Sequence, residues 1–274
     1  MNSYIITYPA GFTKLVTSLL YRDITKVTML FSDESSLAFE TPQPIKQLPY
    51  ARNTFFLLAY AQASTHKAAG EQILAALHRP ALKTWLSSIK STNKHTRFVI
   101  RNFLEGTPAP KDPVLHRSLE QYFSKVLQGS PHSEQPDMEL QLHGRKNGVS
   151  YLALPLDHRK PQPVPAGALP SYTARLLCEA ALPQEDDIFL DPFMGSGAIL
   201  IERSRMKPYN MIFGGDIDPT KVTQLKTLLK GKDWSKKRKT IFPKELDGRR
   251  LFQFEDNFIT SIVSDPPWGQ YDLM

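Results

Sequence analysis

Residues 187–197 constrain the fold of this chain more than any other stretch. Asp187-Ile-Phe-Leu190 is a short buried-strand run that feeds straight into Asp191-Pro-Phe-Met-Gly-Ser-Gly197, and Ala198-Ile-Leu-Ile-Glu202 then opens a helix. Strand, glycine turn and helix in that order predict the first crossover of a doubly wound α/β sheet. Two further words repeat the pattern. Met211-Ile-Phe213 leads into Gly215-Asp-Ile-Asp218, where Asp218 reads as an N-cap, Pro219 as the first helical residue, and Val222, Leu225, Leu228 and Leu229 as one helical face. The β-branched run Phe258–Ser264 leads into Asp265-Pro-Pro-Trp-Gly269. Each word alone has an ordinary reading as a loop glycine pair, a helix cap or a surface turn. Together, Asp191, Asp216 and Asp265 follow apolar runs at intervals of 25 and 49 residues, at the strand carboxyl ends where open α/β sheets bind ligands.

These words resemble the class I S-adenosylmethionine-dependent methyltransferases, and more narrowly the RNA methylases that carry an N-terminal THUMP domain. The resemblance extends to Glu105-Gly106, Pro136-Asp-Met-Glu139, Leu169-Pro170 and Asp247-Gly-Arg-Arg-Leu251. It implies that Asp191, Phe193, Gly195 and Gly197 line the methionine end of S-adenosylmethionine, that Asp216 binds the ribose and that Asp247 meets the adenine amine. Glu245 and Asp256 lie close enough in sequence to compete for that last role. It further implies that Asp265, Pro266, Pro267 and Trp268 hold the target base.

The residues themselves support this chemistry. Glycines at 195 and 197 let the backbone approach a ligand, and the helix N-terminus behind them presents partial positive charge to a carboxylate. Ala198 follows and no third glycine stands at the dinucleotide spacing, which argues against a pyrophosphate site. The lone pair of an exocyclic base amine is delocalised into its ring, so it attacks poorly until its hydrogens are held out of plane. Asp265 and the Pro266 carbonyl can accept both hydrogens. Paired prolines stiffen the backbone that aims the carbonyl, and Trp268 can stack on the base. No metal is expected.

The expected fold class is a Rossmann-like α/β methyltransferase domain preceded by an α+β, ferredoxin-like and THUMP-like region. By this reading residues 1–155 are the RNA-binding region, 156–170 a proline-rich linker, and 171–274 the N-terminal half of the methyltransferase domain. A class I sheet needs about seven strands, and only the fourth has been reached nine residues before Met274. The expectation is therefore an incomplete sheet, completed by a missing C-terminal segment or a partner chain.

In the linker, Pro161, Pro163, Pro165 and Pro170 resist helix and central strand. Ser171 then reads as the cap of a helix to about Leu182, with Ala174, Leu177 and Ala181 facing the sheet. Upstream, strands are expected at 4–7, 27–31, 55–59 and 97–101, helices at 13–21, 69–77 and 115–127, and a hairpin of 138–143 with 149–154 around Asn147-Gly148.

Net charge +7 favours a polyanionic partner, with positive residues concentrated at Lys221, Lys226, Lys230, Lys232, Lys236, Lys237, Arg238 and Lys239. The bland reading of that cluster is a solvated helix face and loop. RNA, chiefly tRNA, is the partner the resemblance implies, with the target base flipped from its stack. No apolar run approaches a membrane span, and a single cysteine, Cys178, among apolar neighbours suits the core of a cytoplasmic protein. The seven histidines show no metal-ligand spacing. The expected product is N2-methylguanosine. Adenine N6 methylation of RNA or DNA is the chemical alternative, and a noncatalytic RNA-binding remnant is the alternative from another class. A glutamine methyltransferase would be expected to carry Asn at position 265.

Overall fold

A computed structural model describes residues 1–78, 95–156, 168–231 and 240–267. Two compact units divide the chain. One takes Met1–Thr7, Leu20–Leu48 and the stretch from Asn53 to the connector; the other takes Tyr8–Leu19, Pro49–Arg52 and the C-terminal part. Pro161, Pro163 and Pro165 of the expected linker lie outside the described residues.

The first unit is built on nine strands: β1 (Asn2–Thr7), β2 (Thr28–Ser32), β3 (Ser36–Thr41), β4 (Asn53–Gln62), β5 (Thr96–Leu104), β6 (Thr107–Pro108), β7 (Gly129–Pro131), β8 (Met138–Gly144) and β9 (Val149–Pro155). Their order is β2-β3-β1-β4-β9-β8-β5-β6, with β7 beside β5. Pairing is antiparallel except where β5 runs parallel to β7 and β8. Strand β3 was not foreseen, because its residues are buried almost throughout and show no alternation. Its turn is closed by Asp33, whose Oδ1 accepts the Ser35 and Ser36 N–H groups at 2.9 and 2.7 Å. The expected hairpin is present as β8–β9, with Gly148 at φ +82 and Asn147 Oδ1 accepting the Val149 N–H.

Helix α1 is Thr13–Asp23. Helices α2 (His66–Ala76) and α3 (Pro113–Leu127) begin at side-chain caps: Thr65 accepts the Ala68 N–H, and Asp112 accepts those of Val114 and Leu115.

The second unit carries four parallel strands in the order β12 (Ile241–Glu245), β11 (Met211–Asp216), β10 (Ile188–Asp191) and β13 (Ser261–Ile262). Helices α4 (Ser171–Ala180), α5 (Ala198–Arg205) and α6 (Pro219–Leu228) alternate with them. One apolar layer joins Ala174, Cys178, Phe189, Leu200, Ile212, Val222 and Leu225; another gathers Leu190, Phe213 and Leu246 with Phe242, Phe254 and Phe258.

Three local expectations need correction. Pro170, not Ser171, occupies the N-cap of α4, without a side-chain cap bond, and the buried face of that helix is Ala174, Leu176 and Cys178, while Ala181 is exposed. On α6, Asp218 caps and Pro219 opens the helix, but Leu228 faces solvent. The run from Phe258 pairs only at Ser261–Ile262: Asn257 sits at φ +64, and Phe258 turns into the aromatic layer instead of extending the strand.

Candidate active site

Parallel pairing puts the carboxyl ends of β10, β11 and β13 side by side. Leu190 pairs with Phe213 and Ile262, and Asp191 with Gly214. The loop from Asp191 to Gly197 leaves the end of β10 and turns into α5. Gly195 and Gly197 adopt φ +52 and +81, values that L side chains adopt at a cost of about 1–2 kcal/mol. The two differ in surroundings. A Cβ at Gly197 would stand 2.9 Å from Leu225, whereas one at Gly195 would meet nothing within 4 Å. Gly197 is therefore a packing glycine, and Gly195 opens onto free space. The Met194 N–H, donated to the Gly215 carbonyl at 2.7 Å, ties the loop to β11.

Asp191 is the buried centre of the site, 1% exposed. Its Oδ1 accepts the Ser264 hydroxyl at 2.7 Å and the Phe193 N–H at 3.1 Å, while its buried Oδ2 has no partner. Burial pushes its pKa up to about 6; the two hydrogen bonds oppose that rise, and like-charge repulsion from Asp216 and Asp265 adds to it. The three acidic corners therefore share one electrostatic neighbourhood.

Asp216, half-buried, spends Oδ2 on the Gly195 N–H and Oδ1 on the Asp218 N–H, both at 2.9 Å, so it orders the glycine loop and the start of α6 together. Asp247 lies just beyond β12. Arg249 clasps it through Nε and Nη2, each at 2.9 Å, and holds its carboxyl at about 2. Its neighbour Gly248 packs on the Phe193 ring, 2.6 Å from where a Cβ would stand, which brings this turn against the glycine loop. Glu245 and Asp256, the competing acids, are both exposed. Asp265 is half-buried and Pro266 and Pro267 are exposed just past β13; Trp268 lies outside the described residues.

Two residues that sequence reasoning passed over hold this arrangement. Ser264, the residue before Asp265, donates its hydroxyl to Asp191, a tie that only strand adjacency reveals. Arg203 on α5, fully buried, pairs with Asp187 at 2.9 Å and donates to the carbonyls of Gln184, Lys207 and Pro208, bracing the start of β10. Cys178 is buried in the apolar layer, and burial pushes its thiol up to about 12. No cluster of metal-ligating side chains occurs among the described residues. The open space over Gly195 and the unpartnered acceptor on Asp191 suit a small ligand that brings a hydrogen-bond donor or positive charge.

Residues 160–271 match the family described as the RMKL-like methyltransferase domain. The matched stretch covers the C-terminal part of the chain, including the glycine loop and all three acidic words. A tRNA (guanine(10)-N2)-dimethyltransferase of Methanocaldococcus jannaschii is 33% identical over 107 residues, a stretch spanning 38% of this chain and 29% of that enzyme. Among solved structures, TrmN from Thermus thermophilus superposes with a TM-score of 0.71 at 18% identity, over 98% of this chain and 80% of that one. SMU.472, solved in complex with SAH, gives 0.67 at 14% identity over 100% of this chain and 82% of that one. These likenesses establish a mixed α/β fold whose C-terminal sheet is Rossmann-like.

Proposed function

We propose that the chain is an S-adenosylmethionine-dependent RNA methyltransferase that modifies an exocyclic base amine, guanosine N2 in tRNA. The observation that carries this reading is the shared neighbourhood of Asp191, Asp216 and Asp265 at adjoining strand ends, with Gly195, whose N–H is held by Asp216, opening onto free space. The cofactor supplies an electrophilic methyl group on a sulfonium. Asp191 and the α5 N-terminus hold its amino-acid end, Asp216 the ribose and Asp247 the adenine edge. Asp265 and the Pro266 carbonyl would accept hydrogen bonds from the two amine hydrogens and draw the nitrogen toward a pyramidal geometry, which withdraws its lone pair from the ring π system. Orientation is then the protein's main contribution.

The specificity for guanosine N2 is supported by the named activity of the archaeal relative, and the net charge of +7 is favourable for an RNA partner. The N-terminal α+β unit takes the role of a THUMP-like RNA-binding region in this reading, in the cytoplasm. Among the described residues β13 pairs only with β10, and Ile262 is exposed. A further strand from a C-terminal segment or a partner chain would cover that edge.

The test separates cofactor from target. Asp265→Ala is expected to keep S-adenosylhomocysteine affinity within about threefold while methyl transfer drops by at least about a hundredfold. Asp216→Ala is expected chiefly to weaken the cofactor. Equal loss of both properties in Asp265→Ala refutes its assignment, and nucleoside mass spectrometry of the product distinguishes guanosine N2 from adenosine N6.

A further inference from the structure

We propose that Ser264 is a positioning residue, its hydroxyl setting where the Asp265-Pro266-Pro267 turn stands relative to the Asp191–Gly197 loop. Strand β13 is held to β10 by the Thr260 N–H on the Ile188 carbonyl at 3.0 Å and the Val263 N–H on the Leu190 carbonyl at 3.1 Å. Past Val263 the next tie to β10 is the Ser264 hydroxyl on Asp191 Oδ1 at 2.7 Å. The same oxygen accepts the Phe193 N–H at 3.1 Å. One carboxylate oxygen therefore anchors both the loop assigned to the methyl donor and the turn assigned to the acceptor amine. Asp191 is 1% exposed, so water competes poorly for either bond.

Two consequences follow, and both rest on the function proposed above. Without the hydroxyl, the last hydrogen bond to β10 lies two residues before Asp265, and the acceptor turn loses the anchor it shares with the donor loop. A displacement of about 1 Å between reacting groups costs on the order of a hundredfold in rate. The hydroxyl also favours the ionised form of Asp191, against burial and the facing carboxylates of Asp216 on β11 and Asp265 beyond β13; the Cys178 thiol on α4 is also within electrostatic reach. Removing it raises the Asp191 pKa further, so the pH at which the carboxylate becomes available to a cationic ligand moves upward.

The experiment compares wild type, Ser264→Ala and Ser264→Thr in two assays. Calorimetry follows S-adenosylhomocysteine binding from pH 5 to 8, and single-turnover methyl transfer to tRNA gives rate and RNA affinity separately. Ser264→Ala is expected to slow transfer by about ten- to a hundredfold, with RNA affinity within about threefold, and to move the binding midpoint up in pH; Ser264→Thr keeps the hydroxyl and restores both. Wild-type behaviour of Ser264→Ala overturns the proposal. Loss of binding at every pH together with a lowered Tm marks a structural tie, and overturns it too. If wild type binds S-adenosylhomocysteine but transfers nothing, the pH midpoint alone decides. If wild type fails to bind it, the cofactor assignment itself falls, and the proposal with it.

Discussion

Asp191 sits in the apolar seam between strand ends with its charge opposed by burial and by two other carboxylates. Its folded pKa of about 6 exceeds the ordinary 3.8, so between those values the folded state binds a proton that the unfolded chain releases. Stability from this group therefore falls as pH rises from about 4 to 6, and at neutral pH the ionised side chain is a net liability of roughly 1–3 kcal/mol. Asp191→Asn retains an oxygen for Ser264 and Phe193 but has no charge to bury. Urea unfolding at pH 4.5 and 7 is expected to show this variant gaining stability relative to wild type at the higher pH. A constant difference at the two pH values would contradict the burial assigned to Asp191. The comparison must be made between the two proteins, since Asp33 and Asp137, lowered by Arg145 and Arg97, act in the opposite sense and lose their contribution only as pH falls below about 4.

Within the elements, the glycine loop and the β10 brace make separable demands. Ala at position 195 or 197 incurs a left-handed strain of about 1–2 kcal/mol. Ala at 197 must also displace Leu225, whereas Ala at 195 projects into the open space. Gly197→Ala is expected to be the less stable protein in a thermal melt, and Gly195→Ala to be the one that loses S-adenosylhomocysteine affinity out of proportion to its stability. Arg203 carries a different load. Replacing it with Met strands the buried Asp187 carboxylate and frees three carbonyls, for an expected loss of about 3–5 kcal/mol in urea unfolding. Adding Asp187→Leu to that variant should recover part of the loss, because the orphaned charge is then gone.

For the whole molecule, the excess of positive charge is the property that reaches beyond any one site. At net +7, binding to tRNA is expected to weaken linearly in log affinity against log salt, by about tenfold or more between 50 and 200 mM. A flat salt profile would remove the electrostatic argument for an RNA partner. Lys221, Lys226 and Lys230 belong to the second unit, on and just after α6, and the remainder of that cluster lies outside the described residues. In the first unit, a hollow of about 250 Å³ lined by Phe103, Leu142, His143 and Leu115 is remote in sequence from the acidic words. Its His143 is stacked between Phe103 and Tyr151, and burial drives its pKa down to about 3. It is a neutral core ring, in keeping with a histidine to which no chemistry was assigned.

The order of strand, turn and helix was legible from residues 187–228 because local rules govern it: apolar runs, left-handed glycines at 195 and 197, and a Pro219 start after the Asp218 cap. So was the hairpin at Asn147-Gly148, where turn geometry demands those residue types. Strand β3 was hidden because burial on both faces erases the alternation by which a strand is recognised. The role of Ser264, the brace from Arg203 and the separate duties of Gly195 and Gly197 were equally hidden. Each depends on which residue of another strand or helix comes within about 3 Å: Ser264 meets Asp191 73 residues away, Arg203 meets Asp187 from the next helix, and Gly197 meets Leu225 of α6, contacts set by packing that no local pattern records.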